Sequence, residues 1–134
     1  MPSLKTIVRL LALSFAGLTL MACDPSYNVE FEVHNETDAP IQVITIFPGA
    51  PFQDTSLIAT GTQLVFFRDN GLGYTTEDYM DMLENLPVGI TISNRNGVMY
   101  KKDENDLNLW DQTYPNKSEG IGRVYLRVKN VDFE

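Results

Sequence analysis

Two segments near opposite ends of the chain alternate apolar and polar side chains with a period of two. In the first, Tyr27, Val29, Phe31 and Val33 alternate with Asn28, Glu30, Glu32 and His34. In the second, Val124, Leu126 and Val128 alternate with Arg123, Tyr125, Arg127 and Lys129. A period of two places every other side chain on the same face of a β-strand. Each segment is therefore predicted to be a strand with one buried face.

Further strand patterns follow one another between turn-forming residues. They occupy residues 41–47, 56–59, 63–67, 88–93, 98–101 and 107–114, and the turns between them include residues 35–40, 69–73 and 94–97. The second strand is apolar on nearly both faces, which indicates a central position. About seven short strands with regular turns favour an all-β fold, an immunoglobulin-like antiparallel sandwich of two sheets. A small β-barrel is the alternative.

One segment, residues 76–86, has the pattern of a short helix. Thr75 or Thr76 can cap its start, and Glu77 and Asp78 suit the positive end of the helix dipole. Pro87 ends the pattern. The apolar stripe expected to face the core consists of Tyr79, Met82, Leu83 and Leu86.

The N-terminal 22 residues have the organisation of an export signal. Lys5 and Arg9 precede the uncharged run 10–22. As a helix, that run spans roughly 20 Å, less than the roughly 30 Å of a bilayer core. A basic start followed by a short apolar run is typical of a signal peptide and too short for a comfortable membrane span.

The residues that end this run resemble the lipobox of bacterial lipoproteins. Leu20, Met21 and Ala22 directly precede Cys23, which is the only cysteine of the chain. The resemblance covers the first 23 residues and implies that the Cys23 sulfur carries a diacylglycerol through a thioether. It also implies signal-peptidase cleavage between Ala22 and Cys23, followed by acylation of the new amino group. Uncleaved anchoring, or a plain signal peptide with a chance cysteine, is the alternative.

The resemblance divides the chain into a signal peptide (residues 1–22), a lipidated cysteine with a short tether (residues 23–26) and one β-sandwich domain (residues 27–134). It implies a cell-envelope location on a membrane, in either the periplasm or at the surface. An acid after the cysteine, here Asp24, resembles an inner-membrane retention signal in enterobacteria-like sorting. Other bacteria do not follow that rule, so the inner and outer membranes both stay open.

The expected mature domain is acidic and free of thiols. Without Lys5 and Arg9, eight basic side chains remain against 18 acidic ones, a formal net charge of −10. Such a surface repels nucleic acids and anionic headgroups, so neither nucleic-acid binding nor polybasic membrane docking is expected. A domain without a free cysteine forms no disulfide. Acyl chains alone can hold it on a bilayer, since each buried CH₂ contributes about 0.8 kcal/mol.

Few residues suggest catalysis or metal binding. The single histidine, His34, lies at a strand end, and no second histidine, free cysteine or nucleophile motif accompanies it. The acids Asp103, Glu104, Asp106 and Asp111 are the densest carboxylate cluster, but they lack the spacing of a calcium loop. We therefore expect no cofactor, no metal and no catalytic residues. Aromatic side chains are the remaining candidates for an interaction surface, with Trp110 and Tyr114 foremost and Tyr74 and Tyr79 beside them.

The sequence favours a non-enzymatic domain that binds a protein or glycan partner of the envelope. One alternative is an enzyme whose carboxylates converge only in the fold, and another is a structural subunit of an envelope assembly. If the first strand rises from Cys23, the turn at residues 35–40 lies away from the membrane and faces partners.

Overall fold

A computed structural model of the chain describes residues 25–115 and 120–134. The expected signal peptide, the lipobox-like residues 20–23 and with them Cys23 lie outside the described residues. In the described part, no helix has the length and apolar content that crossing a bilayer requires.

The domain consists of two β-sheets and one short helix, as expected for a two-sheet sandwich. The first sheet has four strands in the order β4-β1-β7-β6, and the second has three in the order β3-β2-β5. The elements are β1 (Ser26–Asn35), β2 (Ile41–Ile46), β3 (Gln53–Ile58), β4 (Gln63–Leu72), α1 (Thr76–Asp81), β5 (Gly89–Asn94), β6 (Asp111–Thr113) and β7 (Gly122–Val128). The prediction of a mostly β sandwich of two sheets is confirmed, but the expectation of wholly antiparallel sheets is wrong, because β1 and β7 pair in parallel.

Both alternating segments are strands and lie side by side. β1 pairs in antiparallel register with β4 and in parallel register with β7. The apolar side of each strand is completely or almost completely buried: Val29, Phe31 and Val33 on β1, and Val124, Leu126 and Val128 on β7. β1 starts at Ser26, and the Pro25 carbonyl already accepts a hydrogen bond from the Gly73 amide at 2.7 Å. Pro25 and Ser26, expected in the tether, therefore belong to the folded domain.

In the second sheet, β2 holds the predicted central position between β3 and β5. Its residues Ile41, Val43 and Thr45 point into the core and are buried. The opposite face of the strand is not covered, because Gln42 and Ile46 are exposed there. The apolar residues on both faces of β2 therefore predicted its central position correctly. They did not mean that both of its faces are buried.

Residues 69–73 were expected to form a loop, and this prediction is wrong for most of the segment. β4 continues to Leu72, since its polar second half pairs with the first residues of β1 in a register that joins Leu72 to Ser26. Gly71 permits this pairing because a Cβ there would lie 2.7 Å from the Tyr27 hydroxyl. Long-range pairing thus overrides the local turn signal.

The helix is shorter than the predicted span of 76–86. Thr75 caps it by accepting a hydrogen bond from the Asp78 amide, and the helix ends at Asp81. The Leu83 amide then bonds to the Met80 carbonyl, three residues back, which tightens the last turn. Beyond it, Leu83 and Leu86 pack against the core as expected, but from an irregular segment that leads into β5, whereas Met82 of the same predicted stripe is exposed.

The expected strand at residues 98–101 is only partly formed. The turn before it is as predicted: Gly97 has a φ of 79°, and its amide bonds to the Asn94 carbonyl. After the turn, pairing consists of a bond from the Asn94 amide to the Val98 carbonyl, a bridge between Ser93 and Met99 and a bond from the Tyr100 amide to the Ile92 carbonyl.

Side chains, and not a full strand, cover the rest of the β5 edge. Asn105 Oδ1 accepts from the Ile90 amide at 2.9 Å, and Asn105 Nδ2 donates to the Ile90 carbonyl at 3.1 Å. Glu104 Oε1 accepts from the Ile92 amide at 3.2 Å. The side chains of this loop therefore replace a neighbouring strand and cover an edge on which other chains could pair.

The predicted strand at residues 107–114 is mostly another structure. Leu107–Leu109 form a 3-10 turn capped by Asp106, and only Asp111–Thr113 pair as β6. The reason is Trp110, which turns inward and donates its indole N–H to the Glu104 carbonyl at 3.0 Å. The indole also packs against Phe66, with ring centroids 5.8 Å apart, and the alternation of the local sequence carries no information about that distant contact.

The helix packs on β1 and β7 through close contacts. Thr76 and Met80 are buried, and a Cβ at Gly122 would collide with Met80 Sδ, so glycine is needed there. The Tyr27 and Tyr79 rings stack with centroids 4.2 Å apart, and both hydroxyls bond to the Asp69 carboxylate. Burial, together with Asp69, raises the pKa of both tyrosines.

This cluster predicts loss of stability in alkali. Because the folded state holds Tyr79 neutral, the unfolded chain ionises first as the pH rises past the ordinary tyrosine pKa of 10.0. The stabilisation is complete below that pH and declines above it. Urea unfolding of the Tyr79→Phe variant between pH 8 and pH 11 is expected to show a shallower alkaline decline than the parent protein. Equal declines in the two proteins would contradict this assignment.

Candidate binding site

A polar cleft lies at the end of the sandwich where β1 finishes. Its volume is about 330 Å³, and three segments meet there: the β1–β2 turn, the turn after β5 and the C-terminal residues. The lining residues are Thr37, Asp38, Ala39, Pro40, Asn94, Arg95, Asn96, Asn130, Phe133 and Glu134. We call this site the far-end cleft.

A buried asparagine fixes the β1–β2 turn. Asn35 Nδ2 donates to the carbonyls of Ala39 and Ile58 at 2.9 and 3.0 Å. Asn35 Oδ1 accepts from the Thr37 amide at 2.9 Å and from the Thr37 hydroxyl at 2.6 Å. All the hydrogen-bonding capacity of this amide is used, so the wall of the cleft is rigid.

The second wall is the turn after β5. Asn94 Oδ1 accepts from the amides of Asn96 and Val98, each at 2.9 Å. This arrangement leaves the side chains of Arg95 and Asn96 exposed at the tip. The tip therefore presents a cation and an amide from a fixed backbone.

The third wall is the C-terminal 3-10 turn, Asn130–Phe133. Asp132 holds it in place, since its buried carboxylate accepts from the Lys129 amide and from Lys102 Nζ, each at 2.8 Å. The bond to Asp132 raises the pKa of Lys102. The Phe133 ring packs edge-on against Tyr100, with centroids 6.2 Å apart. Asn130 Oδ1 accepts from the Asp38 amide at 3.2 Å and joins this wall to the first.

The histidine lies outside the far-end cleft and is engaged elsewhere. His34 Nε2 lies 2.6 Å from Glu32 Oε2, and its ring stacks on Tyr125 at 4.7 Å. Its partner is thus a carboxylate and not a nucleophilic hydroxyl, and this pair belongs to the charged outer face of the first sheet.

The acidic residues that the sequence singled out do not converge on one centre. Asp103 accepts from the Asn105 amide and Asp106 from the Asn108 amide, which makes them turn and cap residues. Glu104 bonds to β5, and Asp111 pairs with Arg127 at 3.3 Å. Across residues 25–115 and 120–134, no three His, Cys, Asp or Glu side chains are placed to hold a metal ion.

A second cleft does contain acids. It has a volume of about 600 Å³ and is lined in part by Glu84, Asp103 and Asp106. Because the loop itself uses Asp103 and Asp106 for its own hydrogen bonds, these carboxylates have a structural role in the fold.

The aromatic candidates are separated and do not form one platform. Trp110 is only 7% exposed and packs against Phe66 in the core. Tyr79 is stacked on Tyr27, whereas Tyr74 and Tyr114 are exposed. The Tyr114 hydroxyl donates to Asp81 at 2.5 Å.

Sequence reasoning missed most of the far-end cleft. Asn35 and Asn94 carried a signal, because each begins a turn-rich segment in which an asparagine side chain can bond to the following amides. Asn130 and Phe133 carried none, since their place in the cleft depends on where the end of β7 meets the β1–β2 turn.

In comparisons with protein-family models, with curated proteins and with solved structures, nothing matches this chain.

Alanine substitutions of Trp110 and Tyr114 test which of the two side chains belongs to the core and which to the surface. We expect Trp110→Ala to lower the free energy of unfolding by about 3–5 kcal/mol, because it empties a buried aromatic site. Tyr114→Ala serves as the control and should change it by about 0.5 kcal/mol, as surface substitutions usually do. Urea titration followed by circular dichroism measures both. A Trp110→Ala variant with unchanged stability would show that the indole is not part of the core.

Proposed function

We propose that this protein is a lipid-anchored envelope lipoprotein whose β-sandwich is a non-catalytic binding domain. The anchor rests on the similarity of residues 20–23 to a lipobox, and the acidic mature sequence suits a soluble domain outside the cytosol. The binding role rests on the far-end cleft and on the structural use of the other candidate catalytic groups.

The position of Pro25 is the observation that carries the proposal. Its carbonyl bonds to the Gly73 amide, so the domain begins two residues after Cys23. From there β1 runs for ten residues, about 30 Å in an extended strand. It ends at Asn35, the residue that fixes the wall of the far-end cleft. An anchor and a rigid cleft at opposite ends of one central strand suit a domain held at a membrane and facing away from it.

The chemistry of the cleft indicates its kind of partner. Its walls present the amides of Asn96 and Asn130, the ring of Phe133 and charges of both signs, which are the guanidinium of Arg95 and the carboxylates of Asp38 and Glu134. Amides donate and accept hydrogen bonds, and an aromatic ring covers an apolar face of a ligand. These groups suit a polar chain of an envelope protein or glycan.

The anchor predicts the mass of the mature N-terminus. Intact mass spectrometry of the protein purified from membranes is expected to show Cys23 as the first residue, carrying a diacylglycerol and an acyl chain. The Cys23→Ala variant cannot form the thioether and should keep its leader. An unmodified thiol at Cys23, or an intact leader in the parent protein, would disprove the anchor.

The orientation predicts which end of the domain reaches a partner. A photo-crosslinking residue at Asn96, at the tip of the far-end cleft, should capture a defined envelope component in intact cells. The control position is Gln53, which is also exposed but lies at the opposite end of its sheet. Because the cleft residues are expected to carry the contact, adding Arg95→Ala should reduce capture from Asn96. Capture through Gln53 alone would contradict the orientation.

A further inference from the structure

Two large exposed side chains lie beside the point where the described chain begins. Leu72 is 71% exposed and Tyr74 is 49% exposed, and they flank Gly73. The Gly73 amide holds the Pro25 carbonyl at 2.7 Å, and Leu72 pairs with Ser26 in the sheet. This apolar pair is therefore fixed next to Pro25.

The chain length between Cys23 and Pro25 limits their separation. Consecutive Cα atoms are about 3.8 Å apart, so the Cα of Cys23 lies within about 8 Å of the Cα of Pro25. A lipid on Cys23 therefore brings Leu72 and Tyr74 to the level of the lipid headgroups. An aliphatic side chain next to a tyrosine suits that level, where apolar groups insert shallowly and the phenol hydroxyl stays wet.

Two further exposed side chains lie at the end of α1. Tyr114 follows β6, and its hydroxyl bonds to Asp81 at the end of α1, while Met82 comes directly after α1. Both are about half exposed. We call the pair Leu72 and Tyr74, which flanks Gly73, the anchor-end patch.

We propose that the anchor-end patch rests in the interfacial layer of the bilayer that holds the Cys23 lipid. The contact gives the domain a second attachment and so restricts its tilt, which keeps the far-end cleft pointed away from the membrane. This inference rests on the proposed lipid anchor.

Acidic side chains determine which bilayers suit the contact. Glu77, Asp78 and Asp81 on α1 are all exposed near the patch. Like charges repel, and the repulsion falls off within a Debye length of an anionic surface. The patch is therefore expected to insert into zwitterionic bilayers more deeply than into anionic ones.

A matched control exists elsewhere on the surface. Leu57 is 73% exposed, nearly the same as Leu72. It lies on β3 opposite Gln42, next to the end of β2 that adjoins the far-end cleft. A reporter at Leu57 therefore has the same exposure as one at Leu72 but a position away from Pro25.

The experiment measures quenching of tryptophan emission by lipids with brominated acyl chains. The full lipidated protein, as Leu72→Trp or Leu57→Trp, is reconstituted into phosphatidylcholine vesicles that contain the brominated lipid. The native Trp110 is buried in the core and contributes the same background to both variants. We expect the loss of emission to be several-fold larger for Leu72→Trp than for Leu57→Trp, and to decrease when phosphatidylglycerol replaces much of the phosphatidylcholine.

Flotation of the same vesicles separates the two proposals. Protein that does not float with the vesicles overturns the lipid anchor and the contact that depends on it. If the protein floats but quenching is equal at both positions, or absent for Leu72→Trp, the lipid anchor stands. The proposed contact of the anchor-end patch with the bilayer is then wrong. A third outcome is that the brominated lipid does not quench Leu72→Trp and that its emission spectrum shifts to shorter wavelength only when an envelope protein is added. That outcome assigns the patch to a protein partner and also overturns the proposal.

Discussion

The parallel pairing of β1 with β7 is the constraint on which the rest of the fold depends. Antiparallel strands can be joined by a short turn, but parallel neighbours need a long crossover, and here the crossover is nearly the whole domain. Since β4 occupies the other edge of β1, this strand is central and its apolar side is fully buried. On its polar side one carboxylate is buried as well: the Glu32 side chain is only 2% exposed and is held by His34 and Arg123. A buried carboxylate needs such partners, because losing one of them would leave a charge uncompensated.

The two sheets present different outer faces. On the first sheet, Glu30 accepts from Arg68 at 2.9 Å and lies 3.7 Å from Arg123, so ion pairs run from strand to strand. On the second sheet, the side chains of β2 and β3 that point away from the core carry no charge. These residues are Gln42, Ile44, Ile46, Gln53, Thr55 and Leu57. The edge of β5 that faces away from β2 is nevertheless protected, since the side chains of Asn105 and Glu104 accept hydrogen bonds from the Ile90 and Ile92 amides. The charges thus keep one face solvated, while the loop after β5 limits unwanted pairing on the other sheet.

The two ends of β1 have different chemistry, and this difference gives the domain its direction. Near Pro25 the surface carries Leu72 and Tyr74, which are apolar or amphipathic. Near Asn35 it carries the amides and charges of the far-end cleft, fixed by side-chain hydrogen bonds to the backbone. A binding site on a rigid wall loses little conformational entropy when a partner binds. A lipid at one end and a preorganised polar cleft at the other are complementary parts of one proposed function.

Local sequence patterns determined two of the strands and one turn of this protein. Alternation along residues 27–34 and 123–129 was enough to predict strands with their inward faces, and Asn94 with Gly97 was enough to predict a turn, because these properties depend on neighbours in sequence. The tertiary structure alone decided that β4 continues past Asp69, that Trp110 turns into the core and that Asn130 and Phe133 join the far-end cleft. Each of these features depends on a hydrogen bond or a packing contact with a residue far away in the chain. No periodicity within a segment specifies that distant partner, so only the assembled sheets could supply it.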